Sequence, residues 1–159
     1  MAAETSTAPS PSSYLERSVT LLRIAVGIVY LWFGGLKLIP LLSPVEPLMR
    51  TAYDFLETWG LMSLGTFIFI VGIWEVLIGI GFLIGRYMKV MIVLILLQLG
   101  GAFSPIVLAP EEVWTSFPLT LSLAGQYIVK DLILLAAVFV IWSMEREKSA
   151  RREESRVRS

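Results

Sequence analysis

LMSLGTFIFIVGIWEVLIGIGFLIGRYMKVMIVLILLQLGG, residues 61–101, is an almost unbroken apolar block. About 20 helical residues cross the ~30 Å of hydrocarbon in a bilayer, so the block is too long for one span and suits two. Arg86 and Lys89 divide it, and the short GRYMK between its halves reads as the turn of a tight antiparallel helical hairpin. Two further segments have the same character, one on each side. The sequence thus predicts an all-α integral membrane four-helix bundle with spans at 19–42, 62–85, 88–108 and 119–143.

Composition agrees with this reading. Of 159 residues, 56% are hydrophobic and 16% charged, whereas soluble domains sit nearer half apolar and a quarter charged. With 13 basic and 13 acidic residues the net charge is zero, which suggests no nucleic acid as partner, while the long apolar blocks point to the lipid bilayer. There is no cysteine and no histidine. Disulfides, thiolate catalysis, His-ligated haem and nearly all zinc sites are therefore excluded, and no metal site is expected.

Residues 1–18 open with MAAETSTAPSPSSY and read as a disordered cytoplasmic N-terminal tail. Residues 19–143 form the transmembrane domain, and 144–159 a charged cytoplasmic tail, read as a solvated extension of the last helix. Arg17, Arg23, Arg86, Lys89 and the tail bases gather on one side, while Glu46, Asp54, Glu57, Glu111 and Glu112 gather on the other. The positive-inside rule then places both termini of this multi-pass protein in the cytoplasm. In EPLMRTAYDFLETWG, residues 46–60, Leu48, Ala52, Phe55 and Trp59 recur at helical spacing, predicting a short interfacial helix in the first outer loop. The second outer connection, FSPIVLAPEEVWTSFP, has the prolines and aromatics of a headgroup-level anchor.

Polar residues inside the spans carry the functional question, because intramembrane ionisable groups are rare and costly. Gly27, Tyr30, Gly34 and Lys37 share one face of the first span, and Gly72, Glu75 and Gly79 share one face of the second. The four glycines are candidate helix-packing positions. The third span offers Gln98; the fourth offers Gln126, Tyr127, Lys130 and Asp131. At ~1.5 Å per residue, Glu75 and Gln98 lie ~15 Å deep, Lys130 and Asp131 ~18–20 Å, and Lys37 and Gln126 ~25 Å. Arg23 is shallow enough to snorkel to the headgroups. The buried cations Lys37 and Lys130 balance Glu75 and Asp131, so a neutral network is expected, with Lys130 reaching Glu75 and Asp131 reaching Lys37 or Tyr30. Such a network serves equally as a clamp that fixes helix register or as a pocket for a head group or a proton.

At LRIAVGIVYLWFGGLKL, WEVLIGIGFLIG and YIVKDLILLAAVFVI the chain resembles the DoxX-like superfamily of small four-helix membrane proteins, with its nearest likeness to the RclC/YkgB-type inner-membrane proteins. The likeness spans roughly 19–143. It carries over Arg23, Trp32, Gly34, Lys37, Glu75, Gly79, Lys130 and Asp131, and it departs after Lys37, where LIPLLSPVEP replaces a longer acidic loop. The resemblance implies a four-helix bundle associated with oxidative or reactive-chlorine stress. Some relatives act beside superoxide dismutase and a thiol oxidoreductase, and the related DoxD type is linked to quinone-dependent thiosulfate oxidation.

The resulting expectation is a non-enzymatic accessory or scaffold module in membrane-linked redox defence, with a polar core that holds a quinone or lipid. A redox-enzyme partner and a homo-oligomer belong to this expectation. Catalytic residues stay unassigned, since the chain shows no Cys, haem ligand or nucleotide motif to supply electrons. The alternatives are a quinone-linked oxidoreductase subunit, with Lys130 on a quinone carbonyl, and a small transporter or proton pathway.

Overall fold

The structure, a computed structural model, describes residues 11–39, Met49, Tyr53 and 62–158. Four helices among them are long and apolar enough to cross a membrane. Helix α1 is Pro11–Leu38, α2 is Leu64–Ile84 and α3 is Met88–Phe103. Two single turns, α4 (Pro105–Leu108) and α5 (Pro110–Val113), lead to a hairpin of β1 (Trp114–Ser116) and β2 (Thr120–Leu121). Helix α6, Leu123–Val157, closes the chain. Each long helix touches its two neighbours in the ring α1–α2–α3–α6. This is the up-and-down arrangement that short connections favour.

The boundary inside the 61–101 block falls at the bases. Gly85 ends α2 in the left-handed conformation (φ +73°), its N–H bonded to the Gly81 carbonyl at 2.9 Å, and α3 starts three residues later. Glycine reaches that φ without the Cβ penalty other residues carry. The third span is jointed at Pro105. Proline lacks the N–H that would bond the Gly101 carbonyl, and that carbonyl instead accepts from the Ser104 hydroxyl at 2.7 Å and the Ser104 N–H at 3.1 Å. A neighbouring hydroxyl re-satisfying a freed carbonyl lets a membrane helix tolerate such a break.

Two expectations about boundaries change, at the N-terminal tail and at the start of the fourth span, while the charged C-terminal tail extends the last helix as expected. Helix α1 begins at Pro11, so the part of the N-terminal tail that lies within the described residues is helical. Helix α6 runs on to Val157, and the two extensions lie side by side: Glu16 is within electrostatic reach of Arg151, and Val19 joins the buried cluster that holds Ile141. Pairs one turn apart, Arg151–Glu147 (2.6 Å) and Lys148–Glu145 (3.7 Å), support the extended α6. Residues 119–121, expected inside the fourth span, belong to the hairpin and its turn, because Ser122 caps α6 by accepting from the Gly125 N–H at 3.0 Å. The expected interfacial helix lies outside the described residues except for Met49 and Tyr53, which are both helical.

The core is a column of Ile78, Phe82, Ile92, Ile95, Val138 and Ile141, all nearly or fully buried. On the outer faces every long helix exposes large apolar side chains, among them Ile28, Leu77, Leu97 and Ile133. Apolar inside and apolar outside is the pattern of a multi-pass protein in contact with lipid.

The tightest pair is α1 with α2. A Cβ placed on Gly79 would stand 2.6 Å from the Leu31 nitrogen and 2.9 Å from the Gly27 carbonyl oxygen. One placed on Gly34 would stand 2.8 Å from the Glu75 Cβ and from the Val76 nitrogen, and one on Gly72 3.1 Å from the Gly34 carbonyl oxygen. Gly27, Gly34, Gly72 and Gly79 thus all sit at a seam where the two backbones meet. Alongside this seam the four helices enclose a space.

Candidate functional site: a polar cavity among the helices

The space is a cavity of about 510 Å³ with apolar walls and a few polar groups. Lys37 sits in the last turn of α1 and Glu75 at the middle of α2. Their side chains meet in an ion pair, Nζ to Oε2 at 2.5 Å, and the two residues are only 9% and 6% exposed. The glycine seam creates this contact. Gly34 brings the α1 backbone against Glu75, and the space above Gly72 is taken by the Lys37 Cβ, 3.0 Å from where a Cβ on Gly72 would stand. The spacing of glycines and ions along each helix therefore translates directly into the pair.

Gln98, facing in from α3, donates its Nε2 to the other carboxylate oxygen of Glu75. Because an ionised carboxylate only accepts, this contact fixes the amide orientation and turns Gln98 Oε1 away from Glu75. Among the described residues that oxygen, which is buried, has no hydrogen-bond partner. Buried polar atoms are paired in the great majority of cases, so an orphan beside a cavity marks a place for a donor.

The fourth helix contributes differently from expectation. Lys130 does not reach Glu75, which is already held by Lys37 and Gln98. It is exposed on the outside of α6, its ammonium 5.4 Å from the centroid of the Tyr127 ring, and it does not line the cavity. Asp131 does line it, within electrostatic reach of Lys37 and Glu75, but makes no hydrogen bond or ion pair to another described residue. The physical reason is the ~100° between successive helical side chains: α6 turns Asp131 inward, and Lys130 then has to leave the bundle. Gln126 is exposed and also lies outside the cavity. Tyr30, buried on α1, and Tyr127, half-buried on α6, complete the polar lining together with Ser104.

Arg23 lies over the end of α2, its guanidinium where a side chain on Gly85 would be. Two site residues escape a reading of polarity alone. Trp74 lines the cavity and donates its indole N–H to the Leu94 carbonyl at 3.3 Å, tying α2 to α3. The signal for it is general: a buried indole has to find an acceptor. Ser104 is signalled by the proline that follows it.

Comparison with known proteins finds no matching family, no similar curated protein and no similar solved structure. The fold and the cavity define the chain as a multi-pass helical-bundle membrane protein on their own evidence.

Proposed function

We propose that the protein is a ligand-binding membrane module, an accessory of DoxX-like type to a membrane-linked redox defence system, which holds an amphiphile (a lipid or a quinone) within its helices. The observation that carries this is the cavity itself: apolar walls large enough for part of such a molecule, lined by polar groups from all four long helices. Leu97, 61% exposed on the outer side of α3, also lines the cavity, so its wall reaches the surface that faces lipid and a ligand can enter from the bilayer. The basic ends of the helices support a cytoplasmic side for both termini in a bacterial inner membrane. In the quinone form of this reading Lys130 is no handle for a carbonyl, and the donors left are the tyrosine hydroxyls and the N–H groups of Lys37 and Gln98 not used on Glu75.

Native mass spectrometry of the gently purified chain, read for bound small molecules and protein partners together, tests the proposal. A discrete adduct is expected, lost on Ala102→Phe, which adds bulk at the cavity wall. Lipid present in equal amount on both proteins, with no discrete species, would overturn it.

A further inference from the structure

Resting on the reading of the cavity as a ligand site, we infer that the ligand's head group is a cation, and that the cavity takes a lipophilic organic ammonium. The charges along its wall lead there. Among the described residues only Lys37, Glu75 and Asp131 line it with ionisable acid or ammonium groups. The first two cancel in their 2.5 Å pair. Lys130, which by sequence would balance Asp131, carries its charge to the outside of α6. Among the described residues one carboxylate is therefore left over. Asp131, half-buried at the cavity wall and without an ion-pair partner among the described residues, offers its charge to a positive group in the cavity.

Two of the remaining polar groups are acceptors open to a ligand that donates hydrogen bonds. Gln98 Oε1 is an unpartnered buried acceptor. The Ser104 hydroxyl spends its proton on the Gly101 carbonyl, which leaves only its lone pairs for a ligand. Tyr30, Phe33, Trp74 and Tyr127 supply aromatic rings around the same space, and ring faces attract cations. A primary ammonium offers N–H groups to these acceptors and a charge to Asp131, and its hydrocarbon body fits the apolar remainder. An anionic head would face a site already negative. A bare metal ion suits it poorly, since no cluster of three or more metal-ligating His, Cys, Asp or Glu side chains exists among the described residues.

The test uses the full chain in lipid nanodiscs and equilibrium binding of radiolabelled dodecylamine and dodecanol, with uptake by empty discs subtracted. Saturable binding is expected, at least about tenfold tighter for the amine than for the alcohol. Asp131→Asn should abolish that preference while the alcohol still binds; Lys130→Gln should leave both ligands unchanged. Equal saturable binding of both, or a preference that survives Asp131→Asn, overturns the charged head group and leaves the cavity reading standing. Saturable binding of neither removes the cavity reading as well. Should Asp131→Asn fail to fold, the amine-to-alcohol ratio of the unaltered chain decides alone.

Discussion

Lys37 and Glu75 lie 38 residues apart in sequence and 2.5 Å apart in space, a buried ion pair at the tightest point of the bundle. Breaking it from one side strands a charge. Lys37→Met or Glu75→Leu should each lower stability by roughly 3–5 kcal/mol, and the double substitution should recover most of the loss, because two well-packed apolar groups need no solvation. Thermal unfolding in detergent across the four proteins measures this. Additive losses would show that the pair is not one unit.

The glycine seam predicts a contrast between positions of the same residue type. Gly79→Ala and Gly34→Ala place a methyl group against the facing backbone and should destabilise by about 1–3 kcal/mol through overpacking. Gly35→Ala and Gly100→Ala meet nothing within 4 Å and should be neutral or stabilising by up to about 1 kcal/mol, the difference in helix propensity. Unfolding curves for the four variants check the order. Equal effects at all positions would mean that α1 and α2 do not meet along this seam.

Gly85 and Arg23 are coupled in another way. Gly85→Ala asks alanine to hold φ +73° and puts its methyl group into the Arg23 guanidinium. The single substitution should therefore cost more than the roughly 1–2 kcal/mol of left-handed strain alone. In an Arg23→Ala background only that strain should remain. A double-mutant cycle on stability reads the coupling directly.

Lys130→Met should change stability by no more than about 0.5 kcal/mol, as for other exposed positions outside a network. A loss of several kcal/mol on unfolding would place Lys130 inside the polar core.

Much of this architecture is legible in the sequence. The break at Arg86–Lys89 separates two spans because charge and a left-handed glycine are both needed where a chain reverses at the membrane surface. The shared faces of Gly27, Gly34 and Lys37, and of Gly72, Glu75 and Gly79, follow from helical periodicity alone. The β-hairpin at 114–121 was hidden because its strands are too short to carry an alternating pattern.

Sequence by itself determined four apolar spans, two glycine faces and a set of intramembrane ions, since composition and the 3.6-residue period act within each helix. Who pairs with whom was decided only by tertiary structure. Lys130 and Asp131 are neighbours in the chain but diverge by ~100° around the axis, so they meet different surroundings. The packing of α6 against α1 and α3 turns Asp131 to the cavity, and the close approach of α1 to α2 hands Glu75 to Lys37. A set of charges that balances along the chain is therefore unbalanced inside the bundle, because balance depends on helix rotation, which no single helix sets.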